Sequence, residues 1–197
     1  PAERILDVCA APGTKTTAIA EEIGDAGEVV ALDRNVRRLR LVGRDARRLG
    51  LANITTSEHD AMRTLRGFSA RGAFDRILVD APCSGLGTLR RNPDARWRVR
   101  PGDPQRLAET QKAILRNAAA ALRPGGVLVY STCTVLPEEN EKVIESFLSE
   151  TRNFRLLPGD TAPEATRTLV GADGFLRCFP HLHDSDGFFA ARLERHP

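Results

Sequence analysis

The stretch that most constrains this chain is Ile77-Leu78-Val79 followed by Asp80-Ala81-Pro82-Cys83-Ser84-Gly85. A continuous apolar run is the pattern of a central parallel strand covered on both faces. Pro82 and Gly85 then end the strand and force a turn. In open α/β sheets, ligands bind just beyond the carboxyl ends of the strands, at the point where the strand order reverses. An acid and a thiol placed directly after such a strand, Asp80 and Cys83, therefore fall where chemistry is carried out.

The remaining pattern extends this reading along the chain. Ile5 to Cys9 reads as a first strand, Ala10 to Lys15 as a tight turn and Thr16 to Ile23 as a helix ended near Gly24. Val29 to Asp33 is a second strand that also ends in an acid, and Asn35 to Leu49 is an amphipathic helix closed by Gly50. A short strand, Ile54 to Ser57, precedes His59 and Asp60. Pro104 to Leu122 is a long helix stopped by Arg123-Pro124-Gly125-Gly126, and Val127 to Thr132 is a fifth strand. A helix from Pro137 to Leu148, a strand from Phe154 to Leu157 and a last strand from Gly187 to Leu193 complete the order. Residues 158–174 are rich in Pro and Gly and read as a mobile loop. Strands alternating with helices specify an α/β fold with a doubly wound, mostly parallel sheet. With 197 residues and no internal repeat, one domain over 1–197 is expected.

Composition narrows the function classes. No run of 18 apolar residues is present, so no membrane-spanning helix is expected. The chain opens with Pro1-Ala2-Glu3-Arg4 and shows no signal peptide, which with the unpaired cysteines predicts a reducing, cytoplasmic location. Cys9, Cys83, Cys133 and Cys178 form no CxxC pair, so no metal site is expected. The formal net charge is +3. Arg34, Arg37, Arg38, Arg40, Arg44, Arg47 and Arg48 crowd one helix, read as its solvated face. Arg90, Arg91, Arg96, Arg98 and Arg100 crowd the loop after Cys83 together with Trp97, a pattern suited to nucleic acid.

The first strand–turn–helix occupies the nucleotide-binding position of such folds. Gly13 permits close backbone approach, and Asp33 lies 20 residues after it (33 − 13), where an acid holds ribose hydroxyls. A Walker A motif is ruled out because Thr14-Lys15 follows Gly13, and the GxGxxG fingerprint is absent. An adenosine cofactor without a pyrophosphate, such as S-adenosylmethionine, fits better.

The fifth strand runs into Ser131-Thr132-Cys133-Thr134 and then Leu136-Pro137-Glu138-Glu139-Asn140, so two strands present a cysteine at one sheet edge. With Asp7-Val-Cys-Ala-Ala-Pro-Gly13, Asp80-Ala-Pro-Cys-Ser-Gly85, Arg91-Asn-Pro-Asp94 and Asp186-Gly-Phe-Phe189, the chain resembles the Nol/Nop/Sun family of RNA (cytosine-5)-methyltransferases. The likeness is nearest to the family's bacterial Sun, RsmB-like branch acting on 16S ribosomal RNA. Thr14 stands where members often carry a second glycine.

The resemblance implies a Rossmann-like class I S-adenosylmethionine-dependent methyltransferase fold with an antiparallel C-terminal strand. It implies a catalytic domain without the family's upstream RNA-binding regions, acting as a monomer on RNA. Cys9, Ala10, Ala11, Pro12, Gly13, Thr14, Lys15, Asp33, Arg38, Asp60 and Asp80 would line the cofactor site. Cys133 would be the nucleophile, Cys83 would assist product release, and Asp80 and Lys15 would face the reacting base. Asp60 could instead cap the residues after it. Cys178 falls in no usable pattern, and His181 and His183 read as groups satisfied locally. Three alternatives remain at this point: a tRNA enzyme of the same chemistry, a DNA cytosine-5 methyltransferase that uses Cys83 of the Pro82-Cys83 pair, and a non-catalytic RNA-binding protein of this fold.

Overall fold

The computed structural model describes residues 2–71 and 73–197. Among these the expected α/β order is present: β1 (Arg4–Asp7), α1 (Thr14–Ile23), β2 (Glu28–Asp33), α2 (Val36–Leu49), β3 (Ile54–Glu58), β4 (Phe74–Asp80), α3 (Ala95–Arg98), α4 (Asp103–Ala121), β5 (Leu122–Thr132), α5 (Glu141–Glu150), β6 (Phe154–Leu156), α6 (Glu164–Arg167), β7 (Leu176–Cys178), α7 (Pro180–His183) and β8 (Phe188–Arg195). The sheet order is β3-β2-β1-β4-β5-β8-β6, with β7 also on β8. Strands β1 to β5 pair in parallel, and β8 runs antiparallel to β5, β6 and β7. Strand order reverses between β1 and β4, the switch point at which a ligand site is expected.

Side-chain alternation divides the core. Leu6, Val30, Leu32, Ile77, Val79, Leu128 and Tyr130 join the main cluster with Ala108, Leu115 and Ala118 of α4 and Ile144 and Phe147 of α5. A smaller cluster joins Ala31 to Leu39 and Val42 of α2. Helices thus cover both faces, which is why the central strands read as unbroken apolar runs. Burying each large apolar side chain contributes about 1.5–3 kcal/mol, so these residues fix the strand ends that carry the site. Apart from Arg38, which reaches Ala11 O, the arginines of α2 lie on its outer face, and none of the helix's buried residues is charged. Asn35 is the cap of α2 rather than its first residue, its side chain accepting the N–H groups of Arg37 and Arg38. No described helix is long and apolar enough to cross a membrane.

Two local expectations are corrected. The helix after β5 begins at Glu141, not at Pro137. Residues 137–140 form turns because the buried Glu139 and Asn140 aim their side chains at neighbouring loops. The 158–174 segment is not an irregular loop throughout: it contains a 3₁₀ turn, Gly159–Thr161, and α6. Arg192 on β8 donates to Thr161 O at 2.7 Å, and Ala162 is buried, so the sheet itself holds this segment.

Candidate active site

The turn after β1 is the first wall. Gly13 has φ +116°, and a Cβ there would lie 3.1 Å from Val42, so the turn needs both the freedom and the smallness of glycine. Asp33, at the end of β2, accepts the N–H of Ala11 at 3.1 Å and of Asn35 at 2.8 Å. Arg38 donates to Ala11 O at 2.7 Å. Asp33 and Arg38 therefore shape the 10–13 turn while also lining the cleft beside it.

That cleft has a volume of about 260 Å³. Cys9, Ala11, Asp33, Arg38, Asp60, Asp80, Cys83 and Cys133 all border it, so one space brings together expected residues from five strand ends. A smaller space of about 90 Å³ adjoins Asp7, Ala10, Pro12, Thr14 and Lys15, with Cys9, Ala11 and Asp80 on the border of both. Gly13 borders neither and acts through the turn. Asp60 accepts the N–H of Met62 at 3.0 Å, so it holds its own loop as well as facing the cleft. Burial pushes the Cys9 thiol up to about 12, which suits a small wall group rather than a nucleophile.

The donor set fits an adenosine-based cofactor. Val8, Ala61, Met62, Pro82 and Ile114 give an apolar slot, and Asp33 supplies a carboxylate with spare lone pairs. Two buried polar atoms bordering these spaces, His59 Nε2 and Asp7 Oδ1, have no protein partner. Asp7 was not singled out from the sequence. Burial raises its carboxyl to about 7, opposed by the hydroxyl of Thr16, which donates to it at 2.7 Å; nearby Asp80 pushes it up further.

The cysteine side is built from the loops after β4 and β5. The sulfur atoms of Cys83 and Cys133 are 3.3 Å apart. The Cys133 thiol is lowered, first because Cys83 donates to it and with help from the Lys15 ammonium, against burial and the Asp80 charge. Cys83 is raised, by that same bond and by burial. The contact between the sulfurs thus acts in opposite directions on the two thiols, lowering Cys133 and raising Cys83. Lys15 Nζ lies 2.7 Å from Asp80 Oδ2, and Ser131 donates to Asp80 Oδ1 at 2.8 Å. The ion pair is half exposed and contributes about 0–1 kcal/mol.

Further bonds lock the two loops together. Gly87 N–H donates to Cys133 O at 3.0 Å, and Gly187 N–H donates to Gly87 O at 2.7 Å. Ser84 and Thr134 share a hydroxyl contact of 3.0 Å. Glu139 accepts Ser84 N–H at 2.8 Å and the Gln111 amide at 3.0 Å. Sequence reasoning passed over Glu139 and Gln111 as site residues. The available signal was Gln111 itself, a polar residue on the buried stripe of α4 between Ala108 and Ile114.

Beyond the cysteines, Trp97 is 77% exposed with the Arg96 guanidinium 4.7 Å over its ring. Arg91 reaches the buried Asp186 at 3.2 Å and Arg90 reaches Asp184 at 3.0 Å, so the basic loop is anchored to the segment before β8. His183 accepts Phe179 N–H at 2.9 Å, a local bond as expected, while His181 lies against the Phe179 ring. Cys178 pairs through β7 with Phe188.

A family model described as 16S rRNA methyltransferase RsmB/F matches residues 1–194. A probable ribosomal RNA small subunit methyltransferase B from Synechocystis is 46% identical over 99% of this chain and 44% of that protein. Ribosomal RNA small subunit methyltransferase F from Escherichia coli is 42% identical over 98% of this chain and 40% of that protein. The chain spans less than half the length of these relatives. Among solved structures, NSun6 from Pyrococcus horikoshii with SFG superposes with a TM-score of 0.83 at 34% identity, over 99% of this chain and 48% of that one. A methyltransferase homologue from the same organism gives 0.80 at 32% identity, over 100% of this chain and 62% of that one. The fold is that of the class I S-adenosylmethionine-dependent methyltransferases.

Proposed function

We propose that this chain, which belongs to the 16S rRNA methyltransferase RsmB/F family, methylates carbon 5 of a cytosine in ribosomal RNA through a covalent cysteine adduct. The observation that carries the reading is the approach of the Cys83 and Cys133 sulfur atoms to 3.3 Å, on the border of a cleft lined by Asp33 and Asp60. Cys9 to Lys15, Asp33, Arg38, Asp60 and Asp80 would hold S-adenosylmethionine. When bound, it supplies an electrophilic methyl group.

The chain's own residues account for the rest. Carbon 5 of cytosine is a weak nucleophile. Addition of the Cys133 thiolate to carbon 6 moves the ring electrons toward carbon 5 and nitrogen 3 and makes carbon 5 reactive. Asp80 delivers a proton to nitrogen 3, drawn from the Lys15 ammonium 2.7 Å away. Once carbon 5 is methylated, its hydrogen must leave. By then Cys133 is a thioether and no longer shares a proton with Cys83. Cys83, having given its own proton to solvent, or a water beside it, takes the proton on carbon 5. The freed C–H electrons restore the 5,6 double bond, Cys133 departs as a thiolate, and nitrogen 3 returns its proton through Asp80 to Lys15. A base stacked in a helix could not reach this cleft, so the target is single-stranded or flipped out. The exposed Trp97 and the arginines around it support RNA as the substrate.

The test compares two variants with small-subunit RNA on a denaturing gel. Cys133→Ala is expected to abolish both methylation and adduct. Cys83→Ala is expected to accumulate a covalent adduct with methylated RNA, because attack does not use Cys83 and release does. The DNA-type assignment, with Cys83 as the nucleophile, predicts the reverse, and an adduct from Cys133→Ala alone would establish it.

A further inference from the structure

The two cysteines sit on different loops, which the bond from Gly87 N–H to Cys133 O and the Ser84–Thr134 hydroxyl contact join directly. A further link, and one that brackets Cys83 itself, runs through Glu139, whose side chain is fully buried. Burying a carboxylate is costly unless it is hydrogen-bonded. Glu139 lies one residue before the cap of α5, yet its described side-chain bonds go to the Cys83 loop and α4 and none to that helix. One oxygen takes Ser84 N–H at 2.8 Å and the Gln111 amide at 3.0 Å. The same Gln111 amide donates to Pro82 O at 2.9 Å. Glu139 and Gln111 together therefore clasp the peptide groups on both sides of Cys83. The Glu139 backbone is fixed in turn to β5, where Tyr130 donates to its carbonyl at 2.6 Å.

We infer that Glu139 is a positioning residue that holds Cys83 against Cys133 and thereby governs release of the methylated base; the inference rests on the two-cysteine reading above. The two loops are not held alike. Cys133 keeps ties that do not pass through Glu139: Asn140 accepts the Thr132 hydroxyl at 2.5 Å and donates to Thr134 O at 3.0 Å. Loosening Glu139 releases the peptide groups on both sides of Cys83 and leaves the nucleophile in place. Attack then continues while proton removal from carbon 5 falters.

Small-subunit RNA transcribed with cytidine or with 5-fluorocytidine separates the two steps. Fluorine on carbon 5 cannot be removed as a proton, so the fluorinated adduct reports attack and methylation alone. With Glu139→Gln, the cytidine adduct is expected to rise at least about tenfold over wild type while the fluorinated adduct forms within about threefold of the wild-type rate, as loss of a charge-assisted hydrogen bond implies. Gln111→Met, which removes the amide at similar size, is expected to give the same split and guards against a Glu139 variant that does not fold. A purely structural role would lower both adducts in parallel, and that result, or no change in either, overturns the inference. Cys83→Ala runs alongside. If it traps the cytidine adduct and both clasp variants do not, only this inference fails. If Cys83→Ala traps nothing, the two-cysteine reading falls with it.

Discussion

On the β1–β2 side the cleft is shaped mainly through backbone groups: Asp33 takes the N–H of Ala11 and Asn35, and Arg38 reaches Ala11 O. On the β4–β5 side it is shaped mainly by side chains from distant parts of the chain: Gln111, Glu139, Ser84 and Thr134. Under the proposed function, the difference follows from what each side must do. A cofactor wall needs a fixed contour, and one acid can set a turn through backbone donors. A catalytic pair needs two sulfur atoms at a fixed separation and with unequal protonation, and that takes groups converging from several elements. The cofactor side should therefore tolerate change as a loss of affinity, and the cysteine side should fail in chemistry.

The strongest way to break this contrast is at Gly87. A Cβ there would lie 2.2 Å from Gly187 O and 2.8 Å from Cys133 O, all backbone that cannot give way. Gly87→Ala is expected to abolish adduct formation and to cost about 3 kcal/mol or more of stability as an overpacked site. Gly85→Ala is the control: its Cβ meets open space, and only its φ of +73° is unfavourable, at about 1–2 kcal/mol. Urea midpoints for the two variants check the ranking, and equal losses would show that the loop crossing is not the constraint.

A smaller effect is expected from Asp33→Ala. Losing its charge-assisted bonds, worth about 1.5–3 kcal/mol each, should weaken S-adenosylmethionine at least about tenfold by calorimetry. Alkylation of Cys133 by iodoacetamide should be unaltered in the same variant, since no bond in the cysteine network involves Asp33. A slowed alkylation would show that the two sides are coupled.

A separate effect concerns pH. Asp7 titrates near 3.8 when free and is raised to about 7 in the fold. A carboxyl raised by folding contributes stability that is full below 3.8 and is lost as pH rises through about 7. Asp7→Asn, which keeps the shape without the charge, should flatten this decline and raise the urea midpoint at pH 8 in the absence of cofactor. The same decline in the variant would assign it to other groups.

Much of the fold was legible because its signals are local. Apolar runs ending in Asp33 or Asp80, a glycine-bearing turn after β1 and the caps around α2 each report on a few adjacent residues. The short elements β7, α6 and α7 were not legible: three or four residues carry too little pattern, and what holds them is the sheet edge on β8. The same division runs through the site. The sequence by itself determined which residue types stand at the strand ends, including both cysteines, because strand order and the switch point follow from alternation and chain connectivity. Only the tertiary structure decided that Cys83 and Cys133 lie 3.3 Å apart, that Glu139 is buried between their loops and that Asp7 faces the cofactor side without a full set of partners. Those facts depend on contacts between residues 50 or more positions apart for the thiols, and 28 for Gln111 and Glu139. Separations of that length leave no periodic trace in a sequence; they are set by how α4 and β5 pack against β4.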